Sequence, residues 1–481
     1  MKLNELIEKL DIVKIMGDLT VNISNVQIDS NSVTNGSLFV CLKGGDKDGH
    51  EYVKQVENYG GAAIICEREL ETILPQIVVK NTRLALSVIA AEFYDRVCDK
   101  MRLIGVVGTN GKTTTAHLIG NLLNNAGIKC GVIGTLGTFY GDKFIEPNLT
   151  TPDPLVLHKI LYGMYNEGYD TVVMEVSAHA LYFQKVGGLK FEVGVLTNFT
   201  RDHLDFFGDM QSYERAKTKF FNENECKYVV VNADDNLGQK IAVKDGVITY
   251  GIDNPADVFA IDIKSTATGE RFVINLFDCV YDVKLKLTGR FNVYNALAAA
   301  TVSALIGVNP KKVIEGLNKT NGASGRMQRV YGGDFSVYVD YAHTPDGLYN
   351  VLSALKKSCK KRLICVFGCG GNRDVGKRVE MGKISGELAD FTVITSDNPR
   401  YEEPMEIIAE IEKGVLEKSK NYVIVQERAD GIKYAIEMAK AGDVIVVAGK
   451  GSENYQEILG IKRPYNDKDT VEDILRRIRA L

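Results

Sequence analysis

The stretch from Leu103 to Gly127 constrains this chain most. Leu103-Ile-Gly-Val-Val107 reads as a buried strand, Gly108-Thr-Asn-Gly-Lys-Thr113 as a glycine-rich loop, and Thr113 to Ala126 as a helix closed by Gly127. A strand, a loop of this kind and a helix in immediate succession make a phosphate-binding turn. Gly108 and Gly111 permit close backbone approach, so amide N–H groups can face phosphate oxygens, and Thr109 and Asn110 between them are candidate nucleotide-binding residues. Lys112 reaches the β and γ phosphates as a point charge, and the Thr113 hydroxyl is a Mg²⁺ ligand, with Thr114 next in the first turn. The common spacing G-x-x-x-x-G-K-[ST] would put its first glycine at position 106, which is Val106. The competing reading is a plain strand-to-helix turn of a dinucleotide fold.

Further β-branched runs alternate with helical patterns: Thr171–Met174, Val193–Leu196, Tyr228–Val231, Leu363–Phe367, Phe391–Ile394 and Val444–Val447. Such strands, separated by helices, predict parallel sheets covered on both faces and an α/β class. A length of 481 residues at roughly 150 per domain predicts three domains. A boundary near 98–102 follows the predicted helix Ala85–Arg96. A second falls in Lys319-Thr-Asn-Gly-Ala-Ser-Gly325, after a helix that Asn309-Pro310 starts. The expected domains are 1–100, 101–322 and 323–481.

Lys plus Arg number 58 and Asp plus Glu 62, so the formal charge is −4 and a nucleic-acid coat is excluded. Nine cysteines with no CxxC pair argue against a disulfide framework or structural zinc. Residues 1–15 carry charges throughout and offer no signal-peptide core. The mild apolar stretch Ala296–Val308 is too short for a membrane span. A cytoplasmic location and a monomer are the expectation.

Two other segments carry candidate chemistry. The strand Thr171–Met174 ends in Glu175, and a carboxylate at the C-terminal end of a parallel strand points into the ligand crevice, placed to hold Mg²⁺. The alternative is a surface Glu capping a helix. His203 lies between Asp202 and Asp205, which suits an oriented imidazole ligand, although a satisfied surface His reads equally well. Lys217, in the helical stretch Tyr213–Lys219, is on its own only a solvated lysine.

Taken together these segments resemble the Mur ligase family, the ATP-dependent amide-forming enzymes of peptidoglycan precursor synthesis. The resemblance spans the chain in family order, from Asp29-Ser30, Leu38-Phe-Val40 and Asp48-Gly-His50 to the phosphate loop, Met174-Glu-Val-Ser177 and Asp202-His-Leu-Asp205. It continues through Arg290-Phe-Asn-Val-Tyr-Asn295, Gly325-Arg-Met327, Asp340-Tyr-Ala-His-Thr-Pro-Asp346, Gly368-Cys-Gly-Gly-Asn-Arg-Asp374, Asp397-Asn-Pro-Arg400 and Gly449-Lys-Gly-Ser-Glu453. It implies an N-terminal UDP-binding α/β domain, a central phosphate-loop ATPase-like parallel sheet and a C-terminal Rossmann-like domain. By the same match Lys112 binds ATP, while Thr113, Glu175, His203 and a carbamylated Lys217 serve two Mg²⁺ sites. Asn292, Asn295, Arg326 and Asp340 match positions that hold adenine and ribose. Ser30, His50, Thr150, Thr151, Ser177 and Lys185 match the side that takes the UDP-muramyl substrate.

The last three segments resemble the members that add the third peptide residue to UDP-MurNAc-L-Ala-D-Glu. Arg at the end of Asp397-Asn398-Pro399-Arg400 accompanies meso-diaminopimelate in that group. A planar guanidinium can bind the far carboxylate that lysine lacks. Arg373 and Asn398 add donors, Glu453 can pair the far ammonium, and Gly449 opens the last motif. Three positions depart from the family: Asn31 and Lys185 stand where it has Arg, and Ser452 where it has His. A lysine-adding ligase, the pentapeptide-forming ligase, a folylpolyglutamate synthase, a regulatory phosphate-loop NTPase and a dinucleotide module in the third domain remain as alternatives. Gly368-x-Gly370-x-x-Arg373 lacks the third glycine of a dinucleotide fingerprint.

Overall fold

The computed structural model describes residues 1–45, 47–224, 226–266 and 269–480. The chain packs into two compact units. One contains residues 1–107, 129–194 and 215–228, the other 108–128, 195–214 and 229–481.

In the first unit the chain opens with a five-stranded sheet in the order Ile12–Met16, Gln76–Val79, Ala63–Cys66, Ser37–Val40, Asn25–Gln27. Only the first of these strands runs antiparallel to its neighbour. Ser37–Val40, Ala63–Cys66 and Gln76–Val79 are buried along their whole length. Continuous apolar runs are what strands covered on both faces require. Leu38 and Val40 face one core with Leu3, Leu6 and Leu86, while Phe39 and Cys41 face another with Val53 and Val56. The helix Thr82–Phe93 begins where Asn81 Oδ1 accepts from the N–H groups of Arg83 and Leu84, three residues before the predicted start. The same unit holds the parallel trio Arg102–Val107, Thr171–Glu175 and Cys130–Gly134, with Thr171–Glu175 in the middle. Gly137–Tyr140 and Lys143–Ile145 then continue it antiparallel.

In the second unit, residues 229–232, Val247–Gly251 and Val258–Thr266 pair in parallel. Two antiparallel strands follow, Gly269–Leu276 and Cys279–Leu285. These antiparallel additions extend the expected parallel architecture into a mixed one. Period-2 alternation in Gly269–Leu276, with Phe272, Ile274 and Leu276 buried, marks a sheet covered on one face only. The last sheet runs Gln328–Gly332, Ser336–Asp340, Val444–Ala448, Leu363–Phe367, Phe391–Ile394, Tyr422–Ile424, and only its first strand is antiparallel. Helices cover both faces, through Leu348, Met381 and Ile411 on one and Ile432, Ala435 and Val471 on the other. The fully buried ion pair of Arg428 with Asp467, bidentate at 2.8 Å, ties the last helix to this sheet. No described helix is long and apolar enough to cross a membrane.

Candidate active site

The phosphate loop belongs to the second unit, where residues 197–200 brace it. A Cβ on Gly108 would stand 1.8 Å from Thr197 Oγ1, so only glycine fits. Gly111 has φ +82, and a Cβ there would meet Asn295 Oδ1 at 2.5 Å. Thr109 N–H donates to Asn198 O and Asn110 N–H to Asn198 Oδ1, both at 2.9 Å. Thr197 Oγ1 and Asn198 Nδ2 donate to Asn110 O. The Thr109 hydroxyl bonds Thr200 O and Tyr213 OH. Lys112 Nζ folds over the loop and donates to Gly108 O and Thr109 O at 2.9 Å.

The C-terminal segments reach the same loop. Asn110 Nδ2 donates to Asp346 Oδ2 at 2.7 Å. Arg326 Nη2 donates to the Thr113 hydroxyl at 3.1 Å, and its guanidinium lies 4.3 Å from the centre of the Tyr341 ring. Asp340 is buried and accepts from the N–H groups of Met327 and Ala342, and burial raises its carboxyl pKa. Asn292 and Asn295 are buried. Asn295 Nδ2 donates to Asn292 Oδ1, its oxygen accepts from Thr115, and Asn292 donates to Thr288 O. Thr114 lies buried in the first turn of the helix Lys112–Asn125. Of the residues expected on the nucleotide side, Arg326 meets the loop through Thr113; Asp346, which also meets the loop, was not among the expected site residues and carries no glycine or lysine signature.

Asp202 and His203 follow in the same unit. His203 has φ +55, and its Nε2 lies 3.3 Å from Asp202 Oδ2. Asp205 lies 3.9 Å from Arg373 instead. Asp202 is thus one carboxylate beside His203.

The first unit holds a second group of candidates. Glu175 is 1% exposed at its strand end and accepts from Thr135 N–H at 2.8 Å and the Thr135 hydroxyl at 3.2 Å. Gly134 makes room, since a Cβ there would stand 2.1 Å from Glu175 Oε1. Thr150 bonds the Thr135 hydroxyl. Thr151 Oγ1 donates to Glu175 O and accepts from Ser177 N–H. Ser177 caps the short helix Ala178–Tyr182, and Lys185 pairs with Asp153 at 2.8 Å. Lys217, on the helix Met210–Glu223, is 1% exposed. That corrects the reading of a solvated lysine, for a long cationic side chain is buried only when the fold holds it. Ser30 donates to Gln55 Oε1 at 3.1 Å. His50 is buried with both ring nitrogens engaged, Nδ1 by Asp48 and Nε2 by the N–H of Glu67.

A third cluster surrounds Asp397-Asn-Pro-Arg400. Arg400 Nη1 donates to Gly371 O at 2.8 Å, and Nε to Glu457 Oε2 at 3.2 Å. The backbone of Arg400 has φ +51, and bonds to Glu457 O and from Leu459 N–H clasp it to the hairpin Tyr455–Pro464. Gln456 Nε2 donates to Asp397 O. A Cβ on Gly449 would stand 2.5 Å from Asp397 Oδ2, and one on Gly371 2.0 Å from Pro399 O. Asn398 Oδ1 accepts from Lys450 Nζ and Glu457 N–H, and its Nδ2 donates to Glu453. Lys450 is fully buried and pairs with Glu453 at 2.7 Å. Glu453 was expected to face a substrate ammonium, yet the chain already supplies it one. Lys450 lies within a motif legible in the sequence, but nothing local shows that its amine turns inward. Among the described residues no three His, Cys, Asp or Glu side chains are grouped to hold a metal ion.

Three family models match: the Mur ligase middle domain over residues 106–303, the Mur ligase glutamate ligase domain over 325–451, and the Mur ligase catalytic domain over 22–94. The UDP-N-acetylmuramoyl-L-alanyl-D-glutamate–2,6-diaminopimelate ligase 1 of Clostridium acetobutylicum is 42% identical, covering 99% of this chain and all of its own. The UDP-N-acetylmuramoyl-L-alanyl-D-glutamate–2,6-diaminopimelate ligase of Clostridioides difficile is 40% identical, covering 99% of this chain and all of its own. A solved structure of such a ligase aligns with a TM-score of 0.72 at 31% identity, covering 100% of this chain and 99% of the other. A match of this extent, on a chain carrying the braced phosphate loop and the Asp397–Arg400 cluster, places it among these enzymes: the chain belongs to the Mur ligase family.

Proposed function

We propose that this protein joins meso-diaminopimelate to UDP-MurNAc-L-Ala-D-Glu at the expense of ATP, through an acyl phosphate. Residues 1–100, 101–322 and 323–481 would serve the UDP-sugar, the nucleotide and the amino acid in turn. The observation that carries this reading is Arg400, held by Glu457 and Gly371 O in a motif shared with the diaminopimelate-adding group.

The substrate carboxylate attacks the γ-phosphate, and an amine then displaces phosphate to form the amide. The first step brings an anion onto a polyanion. Two unit charges 4 Å apart repel by about 4 kcal/mol at an effective dielectric near 20. Lys112 offsets that repulsion, and the N–H groups at the start of the helix Lys112–Asn125 orient the phosphates, since Asn198 occupies those of Thr109 and Asn110. Arg326 and Asp340 hold the nucleoside side, while the buried pair Asn292 and Asn295 fixes the loop from behind.

The resemblance makes Thr113, Glu175 and His203 the candidate Mg²⁺ ligands: the first two would offer hard oxygens, and His203 an imidazole beside Asp202. Two bound Mg²⁺ ions would neutralise charge spreading over the phosphoryl oxygens. Lys217 enters this set only as a carbamate, because an ammonium has donors and no acceptor. Its burial favours a dedicated role over solvation. Thr150, Thr151, Ser177 and Lys185 serve the muramyl substrate. His50 and Ser30 act there through their neighbours, since their side chains are engaged within the fold. Arg400 binds the far carboxylate of diaminopimelate with its remaining N–H groups, Arg373 adds charge, and Asn398 is set by Lys450 and Glu453.

The test is amide formation from UDP-MurNAc-L-Ala-D-Glu and ATP, with diaminopimelate and L-lysine offered in parallel. Diaminopimelate-dependent product supports the reading. A lysine product alone, or ATP hydrolysis independent of the muramyl substrate, overturns it.

A further inference from the structure

A cavity of about 940 Å³ opens beside the antiparallel strands Gly269–Leu276 and Cys279–Leu285 and the segment 318–329. Arg271, Lys284, Lys286 and Arg329 line it. Its one acidic lining residue, Glu270, is 1% exposed and accepts from the Ser265 hydroxyl and Gly289 N–H. No residue of the phosphate loop lines the cavity, nor do Asn292, Asn295, Arg326 or Asp340.

Strand register makes the charge arrangement sharper. Arg271 lies directly opposite Lys284 on one side and Lys264 on the other. Three cations thus stand abreast on three consecutive strands. Like charges directly opposite one another destabilise a sheet. Among the described residues no carboxylate pairs with any of the three, although the chain as a whole is acidic, with a formal charge of −4. Protection of a sheet edge accounts for Lys284 on the outermost strand, Cys279–Leu285. It does not account for an arginine on the strand inside it.

We infer that this cavity is a second anion site, separate from the phosphate loop, for a small molecule with two or more adjacent phosphate groups. Arg271 and Arg329 offer planar forks, and Lys284 and Lys286 add point charges. An occupant of that kind relieves the repulsion across the strands.

The test is calorimetric titration with inorganic pyrophosphate in magnesium-free buffer. Wild type, Lys112→Ala, the double variant Arg271→Gln/Lys284→Gln and the charge-keeping Arg271→Lys/Lys284→Arg are compared. Lys112→Ala and the charge-keeping pair should bind within about threefold of wild type. The double variant should bind at least about tenfold more weakly, keep its ATP-dependent ligation rate, and melt at a higher temperature than wild type without ligand. If that variant does not fold, Arg329→Gln alone should still weaken binding. Absence of binding to wild type, or binding lost with Lys112→Ala and kept in the double variant, overturns the site.

Discussion

Asn110 in the phosphate loop donates to Asp346, 236 residues further along the chain, and thereby fastens the loop to the first turn of the helix Pro345–Ser358. Burial raises the Asp346 carboxyl pKa, and the bonds from Asn110, Asn350 and Thr200 oppose that rise. Removing the acceptor leaves the Asn110 amide partly unsatisfied. Asp346→Ala should therefore lower stability by about 1.5 kcal/mol and raise KM for ATP roughly tenfold. Asp346→Asn keeps an acceptor and should lose less. Melting curves and ATP kinetics for both variants check this; equal losses would assign the effect to charge alone.

Lys217→Ala should reduce ligation by about three orders of magnitude while the protein still folds, because an anionic metal ligand would be lost from a buried position. A short-chain carboxylate added to the assay should restore part of the rate. Full activity without such rescue would remove the metal-bridging role.

Arg400 should decide between amino acids. Arg400→Ala should lower kcat/KM for diaminopimelate by about one to two decades, the worth of roughly 1.5–3 kcal/mol in charge-assisted bonds. Lysine turnover should be nearly unaffected. Arg400→Lys keeps the charge but cannot serve Gly371 O, Glu457 and a carboxylate together, and should be a poor substitute. Equal losses for both amino acids would refute the assignment.

Lys450→Met should weaken diaminopimelate use although Lys450 is fully buried. Its loss leaves the Glu453 charge uncompensated and takes one of two donors from Asn398 Oδ1, at a cost of about 3 kcal/mol in stability. The double variant Lys450→Met/Glu453→Gln should recover part of that loss. Denaturant midpoints for the two variants are the measurement.

His158 sets an acid limit. It is 1% exposed, neither ring nitrogen has a partner among the described residues, and burial, aided by Arg96, lowers its pKa from 6.5 to about 4. The unfolded chain thus binds the proton more tightly. This contribution to stability is full above pH 6.5 and is lost as pH falls towards 4. The gap is worth about 3 kcal/mol. Urea midpoints should fall between pH 6.5 and 4.5 in wild type, and less steeply in His158→Leu.

Local chemistry accounts for what was legible in the sequence. The strands Leu363–Phe367 and Phe391–Ile394 are short β-branched runs and fall where the pattern puts them. Asn309 caps the helix Pro310–Lys319 as its side chain predicts. The phosphate loop was legible because glycines and a lysine at fixed spacing have few other uses. Lys450 and Lys217 were not legible as buried groups, since only tertiary contacts separate an inward lysine from a solvated one. The row Lys264, Arg271, Lys284 was equally hidden, because register and not spacing sets those residues abreast.

The clasp between Arg400 and the hairpin Tyr455–Pro464 bears on how such an enzyme could change its diet. Arg400 is anchored through its own peptide groups as well as its side chain, in a left-handed conformation that disfavours most side chains. A glycine or asparagine there relaxes the backbone while it removes the recognition group, so a thermal screen would score as harmless a change that alters the product. Conversion to another amino acid would then require the hairpin and the motif to be exchanged together, as one cassette drawn from two distant stretches of the gene.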